Sequence, residues 1–189
     1  MSRGDLWLER GAAPRRFGVK GPRAAELLER LGFVVPAAPN SWAPLRAQSR
    51  DDTADVVARL GATEFFIEES GDAPGIELLV REVSAGLPGV YPVLREDVAL
   101  VLGGARAGNA LAEACNIDFA APAHLPGKAR GPVFMTLMTG VAVLVLPQLE
   151  PNGIVYRIWC DPSFGPYLWD TLADITAGSV TRTTTGSTQ

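Results

Sequence analysis

The polar residues best placed to do chemistry stand at the edges of apolar runs. Arg95, Glu96 and Asp97 precede one run, Asn116 and Asp118 follow the segment after it, and Tyr156, Arg157, Trp159 and Asp161 lie on or after a later one. Carboxylate, guanidinium and aromatic ring together could bind a flat heteroaromatic ligand such as a pterin, by hydrogen bonds to its edge and stacking on its faces. The same residue types also make caps and ion pairs. Asp161 reads as a helix cap, and Asp97 can pair with Arg95 or Arg106. Alternation along 154–159 puts Tyr156 and Ile158 on one face, with Arg157 and Trp159 on the other. From the residues alone, structural roles are the stronger expectation.

The common catalytic arrangements are missing. His124 is the only histidine, in the loop-like Ala123-His124-Leu125-Pro126-Gly127-Lys128, and no Gly-x-Ser-x-Gly turn supplies a nucleophile for it. A packing or surface role is expected. Cys115 and Cys160 are too few for a disulfide framework or a zinc site and read as reduced core or interface residues. A phosphate loop is absent. Gly103-Gly104-Ala105-Arg106-Ala107-Gly108 imitates a dinucleotide turn without being G-x-G-x-x-G, and no acid stands ~20 residues on.

These residues must be held by elements, and a repeated module supplies them. Arg16-Phe17-Gly18-Val19-Lys20-Gly21-Pro22-Arg23 and Val98-Ala99-Leu100-Val101-Leu102-Gly103-Gly104-Ala105-Arg106 each read as strand, glycine turn, arginine and helix start. The helices follow at apolar spacing: Ala24, Leu27, Leu28 and Leu31, then Ala107, Leu111, Ala114 and Cys115. After the first copy, 55–60 and 63–68 read as a hairpin, followed by a helix capped by Asp72 with Ile76, Leu79, Val80 and Val83 on one face. After the second, Val133–Leu146 reads as two strands or one bent strand and 154–159 as another. Asp161-Pro162 then opens a helix carrying Phe164, Leu168, Leu172 and Ile175 inward. The order is β-α-β-β-α, twice, and predicts an α+β protein with antiparallel or mixed sheets and helices on one face. Residues 1–176 are expected to form one domain of two pseudo-repeats, about 14–90 and 91–176, and 177–189 a flexible Thr/Ser/Gly-rich tail. The Pro-rich stretch 34–45, carrying Trp42 and Leu45, suits an extended arm against a neighbour, with core cover within the chain as the alternative.

A chain of 189 residues, 47% hydrophobic with net charge −4 and mean hydropathy +0.13, can bury its own core and leave apolar surface for a partner. Only 17 Lys+Arg, with no dense basic cluster, exclude a nucleic-acid footprint. The N-terminus lacks an apolar signal segment, so the cytoplasm is expected. The uncharged stretch Gly131–Leu149 is short of the ~20 residues of a membrane helix and rich in β-branched residues, so sheet core is expected there.

Taken in order, Leu102-Gly103-Gly104-Ala105-Arg106, Cys115-Asn116-Ile117-Asp118-Phe119, Leu125-Pro126-Gly127-Lys128-Ala129, the apolar strands of 136–146, Tyr156-Arg157 and Ser163-Phe164-Gly165-Pro166-Tyr167-Leu168-Trp169 resemble the sarcosine oxidase gamma subunit family. Gly61-Ala62-Thr63-Glu64-Phe65-Phe66-Ile67 fits its mid-chain hairpin, and the likeness spans roughly 54–176. The resemblance implies an aminomethyltransferase (T-protein)-like fold. It also implies an accessory subunit, itself poor in cofactors, attached to larger flavin-containing amine oxidase or demethylase subunits that carry FAD, FMN, NAD and zinc. That complex demethylates sarcosine or another N-methylated amine oxidatively and passes the one-carbon unit to tetrahydrofolate. If folate binds this chain, the candidates are Asp97, Asn116, Tyr156 and Arg157; the interface candidates are Trp42, Trp159, Phe164 and Trp169. Arg157 stands where folate-using T-proteins carry an acid, which moves the expected role toward scaffolding. The segment before residue 54 also departs from the gamma-chain pattern, which leaves room for an amine other than sarcosine.

Overall fold

Short alternating segments give the chain its strands, and two kinds of turn, glycine and proline, punctuate them. The computed structural model describes residues 5–11, 14–46, 55–71, 74–127 and 130–184. Its elements are β1 (Trp7–Arg10), β2 (Arg15–Lys20), α1 (Ala24–Arg30), β3 (Ser41–Pro44), β4 (Val56–Arg59), β5 (Glu64–Glu69), α2 (Gly75–Ser84) and β6 (Tyr91–Val93). There follow β7 (Val98–Gly103), α3 (Ala107–Ala114), β8 (Gly131–Pro132), β9 (Phe134–Met138), β10 (Val141–Glu150), β11 (Gly153–Cys160) and α4 (Gly165–Thr184). The chain divides into two compact units: Ala13–Glu96 with Ala129–Val133, and Met1–Ala12 with Asp97–Lys128 and Phe134–Gln189.

In the first unit the sheet order is β6-β2-β5-β4-β3-β8 and every pairing is antiparallel. Phe17, Val19, Val57, Phe65 and Ile67 alternate onto one face and pack with Ala24, Leu27 and Leu28 of α1 and with Ile76, Leu79 and Val83 of α2. Leu28, Phe65 and Ile67 have no exposed surface, and burial of each stabilises the unit by about 1.5–3 kcal/mol. The 55–60 and 63–68 segments form the expected hairpin, with Val57 opposite Ile67.

The Pro-rich stretch is not a free arm. Ser41–Pro44 is strand β3, paired to β4 with Trp42 opposite Ala58. The guanidinium of Arg59 donates to the carbonyls of Pro36 (3.2 Å), Ala37 (2.9 Å) and Ala62 (2.7 Å), which fastens the stretch to the hairpin. Trp42 is 1% exposed, so as an interface candidate it is corrected: its indole is spent on the interior.

Two carboxylates are buried on β5. The pairing register sets Arg15 opposite Glu69 and Arg16 opposite Glu68, and both pairs form ion pairs. Glu69 reaches further, accepting the backbone N–H of Gly75 (3.0 Å) and of Ile76 (2.7 Å). Helix α2 is thus capped from a neighbouring strand, where a carboxylate meets both the free N–H groups and the positive end of the helix dipole. The expected cap, Asp72, lies outside the described residues.

In the second unit the order is β1-β7-β11-β10-β9, again antiparallel throughout. Leu100, Leu102, Val143, Val145, Tyr156, Ile158 and Cys160 share the face that packs with Ala107, Ala110 and Leu111 of α3 and Leu168 and Leu172 of α4. The 133–146 run holds two strands, turning at Thr139 (φ 49°) and Gly140 (φ 88°). The observed order adds β1, β3, β6 and β8 to the expected β-α-β-β-α repeat, and the second copy carries three strands, β9, β10 and β11, where the repeat has two. Helix α4 continues to Thr184, so the expectation of a tail beginning at 177 is corrected for 177–184. Composition alone misjudged it because a helix anchored by Leu168 and Leu172 propagates one hydrogen bond per added residue.

Candidate functional site

Strands β7 and β11 form the centre of the second sheet, with Arg157 opposite Val101, Tyr156 opposite Leu102 and Cys160 opposite Val98. Alternation then decides where each candidate side chain goes. Tyr156 turns into the core, 4% exposed, its ring edge-on to Phe119 at 5.1 Å. Burial pushes its phenol above the ordinary value. Cys160 shares that face, and its thiol is raised first by burial and then by the negative charges of Asp97 and Asp161.

Arg157 and Trp159 occupy the opposite face. The Arg157 guanidinium sits 5.0 Å from the centre of the Trp159 ring, a cation–π contact that an i, i+2 spacing on a strand naturally produces. Trp159 itself is 1% exposed, so it offers no surface for a partner, and that interface candidate is corrected for the same reason as Trp42.

The remaining candidates lie at element ends. Asp97 immediately precedes β7, while Asn116 is exposed just beyond α3. Val101, opposite Arg157, is four residues from Asp97, about 13 Å along a strand. The four candidate ligands therefore do not converge. Asp97 is brought toward Cys160, Arg157 to Trp159, and Tyr156 to Phe119 on the other side of the sheet.

Neighbouring polar residues serve structure. The Asp161 carboxylate accepts the Ser163 hydroxyl at 2.5 Å and its backbone N–H at 2.8 Å, which hold it below the usual carboxylate range and cap the 3-10 turn Pro162–Phe164. Because Phe164 lies in that turn and not within α4, it faces outward, 51% exposed, instead of packing inward as helical spacing suggests. Trp169 packs partly against the core and is overlain by Arg10 at 5.1 Å. His124 holds its Nδ1 2.6 Å from the Asp118 carbonyl and its ring edge-on to Phe134, a packing role.

A denser polar group belongs to the first unit and was missed as a group. Arg16 and Glu68 pair across β2 and β5, and Arg95 donates to Glu64 at 2.9 Å while lying 5.8 Å from the Phe66 ring. Gly18 leaves room for it: a Cβ there would stand 3.2 Å from the Arg95 Nε. The signal was present as Arg15-Arg16 on one strand and Glu68-Glu69 on another, but it needs the pairing register to be read. Among the described residues no His/Cys/Asp/Glu group has metal-holding geometry, and no helix is long and apolar enough to cross a membrane.

No protein-family model and no curated protein sequence matches this chain. Solved structures do. A chain of heterotetrameric sarcosine oxidase from Corynebacterium sp. U-96, in complex with pyrrole 2-carboxylate, superposes with a TM-score of 0.72 at 19% identity, over 93% of this chain and 87% of that one. The glycine cleavage system aminomethyltransferase T from Bartonella henselae superposes with a TM-score of 0.60 at 19% identity. It matches 90% of this chain, which spans 46% of that longer one. Two antiparallel sheets, each with its pair of helices, and these two likenesses together give the chain the fold shared by that sarcosine oxidase chain and aminomethyltransferase T.

Proposed function

We propose that this chain is an accessory, gamma-type subunit of a heteromeric complex related to sarcosine oxidase, in which other chains carry out the redox chemistry. The observation that carries the reading is the likeness to a chain of a heterotetrameric sarcosine oxidase, nearly end to end on both sides. The placement of the polar candidates favours a scaffolding role: Tyr156 is buried against Phe119 and Arg157 is engaged with Trp159 on the other face, so neither is presented with the other. On this reading FAD or FMN, NAD and zinc reside on the larger partner subunits. Their reaction removes the N-methyl group of sarcosine or a related amine and delivers its carbon to tetrahydrofolate. Phe164, half exposed, and Trp169, five residues further on, are the residues offered to a partner.

The alternative is that this chain itself captures the one-carbon unit on bound folate, with Asp97, Asn116, Tyr156 and Arg157 as the candidates. It is favoured by the likeness to an aminomethyltransferase. Purification of the native complex, with identification of its other chains and bound chromophores, tests the first reading. The expected result is co-purification with a flavoprotein, and a chain recovered alone as a stable monomer overturns it. Calorimetric titration of the chain with tetrahydrofolate tests the second, and a flat trace retires it.

A further inference from the structure

The first turns of α1 and α3 are built alike. Arg23 donates its backbone N–H to the Gly89 carbonyl and Arg106 to the Asp5 carbonyl, both at 3.1 Å. The next residue, Ala24 or Ala107, donates to Gly21 or Gly104 at 3.0 Å. The strands beside them correspond as well, Val19 of β2 standing opposite Phe65 and Leu102 of β7 opposite Tyr156. The copies then differ at one spot. The first has Ala25 and Phe65, both packed with the core of their unit, and the second has Gly108 and Tyr156.

Packing does not explain the exchange. A Cβ on Gly108 would meet only the Tyr156 Oη, at 3.4 Å, an ordinary contact, and alanine is the better helix former. Phenylalanine would fill the place of Tyr156, as Phe65 does in the other unit. Tyr156 is 4% exposed, and among the described residues its hydroxyl has no hydrogen-bond partner. A buried hydroxyl in that state opposes folding.

The hydroxyl is directed at a helix end that is itself short of acceptors. Gly108 and Asn109 are the second and third residues of α3, where no intrahelical carbonyl reaches the N–H, and Arg106 supplies no side-chain cap. Side chains on a helix tilt toward its N-terminus, so an Oη in contact with a Gly108 Cβ lies on the side to which those N–H groups point. Helices α1 and α2 carry carboxylates in their first turns, Glu26 and Glu77, and α2 also receives that of Glu69; α3 has none. Gly108 is half-buried and Asn109 exposed, so this end is reachable from solvent.

We propose that the start of α3 is a binding site for a small carboxylate, held by the N–H groups of Gly108 and Asn109 and by the hydroxyl of Tyr156. Three neutral donors and the positive end of the helix dipole suit a singly charged oxyanion, the group that α1 and α2 supply from within the chain. Burial pushes the phenol up, so it stays protonated and donates. Gly108 keeps the path between the Oη and the backbone open. Tyr156 acts here apart from Asp97, Asn116 and Arg157.

The test uses the full-length chain with isotope-labelled backbone amides and labelled tyrosine, whose three signals belong to Tyr91, Tyr156 and Tyr167. Acetate is titrated at constant ionic strength against chloride. The expected result is a saturable shift of the Tyr156, Gly108 and Asn109 signals together, with Tyr91 and Tyr167 unmoved. Gly108→Ala is expected to weaken acetate about tenfold without lowering the unfolding midpoint, and Tyr156→Phe, read at the two amides, to weaken it about threefold or more. A shift that is linear in acetate overturns the site, and so does saturable binding that either variant leaves unchanged. Saturable binding of inorganic phosphate with none of acetate overturns the carboxylate as the ligand.

Discussion

Replacing Glu69 tests whether α2 is held from the neighbouring strand. In Glu69→Ala the N–H groups of Gly75 and Ile76, both buried, lose their acceptors, and Arg15 loses its partner at 3.2 Å. An unsatisfied buried N–H costs about 1–3 kcal/mol, and loss of a carboxylate from a helix N-terminus about 0.3–2 kcal/mol. The Arg15 pair adds less than about 1 kcal/mol, because the arginine side chain is 40% exposed and solvent screens it. After local relaxation the loss is expected at about 3–5 kcal/mol, in line with removal of one partner from a buried charged network. Urea unfolding reads the effect as a fall in midpoint at constant slope. Glu69→Gln, which keeps one acceptor oxygen, should lose less than Glu69→Ala, and Arg15→Ala should lose least. A Glu69→Ala loss below about 1 kcal/mol, or an Arg15→Ala loss equal to it, would refute capping as the main role of this carboxylate.

Three further outcomes follow from the geometry. Gly21→Ala and Gly104→Ala should each destabilise by about 2 kcal/mol or more, because both glycines have positive φ and an added Cβ would lie 2.3 Å from the carbonyl of Gly89 or Asp5; unfolding midpoints check this. The raised Cys160 thiol makes stability constant below its ordinary value of 9.0 and lower as pH climbs above it, since the unfolded chain gives up that proton first. In denaturant titrations from pH 7 to 10, Cys160→Ala should show a shallower decline. Trp42→Ala should cost about 3–5 kcal/mol, as a buried aromatic does, whereas Phe164→Ser should change stability by less than about 0.5 kcal/mol. If Phe164 meets a partner, its substitution should instead reduce recovery of the native complex.

Much of the local structure was readable from periodicity. The apolar run Phe65-Phe66-Ile67 marked a hairpin strand, and alternation in Tyr156-Arg157-Ile158-Trp159 named another with its faces, correctly setting Tyr156 and Arg157 on opposite sides. Apolar spacing marked α1, α2 and α3, and the Asp161-Pro162 pair marked the turn that opens α4. The two glycine turns were legible because only glycine tolerates positive φ beside a backbone carbonyl, as Gly21 and Gly104 do.

What escaped local reading depended on partners distant in the chain. Trp42 looks like an arm residue until β4 lies beside it and Arg59 holds Pro36 and Ala37. Glu69 looks like a solvated strand end until α2 begins at its carboxylate. The candidate ligands Tyr156 and Arg157 are close in kind but face opposite ways, because strand parity and sheet register assign each its direction, while Asp97 and Asn116 lie at the ends of other elements. Side-chain periods of 2 and 3.6 are written into neighbouring residues and survive without the fold. The choice of which strand pairs with which, and hence which charges meet and which strands end each sheet, is a balance of long-range contacts that only the tertiary structure decides.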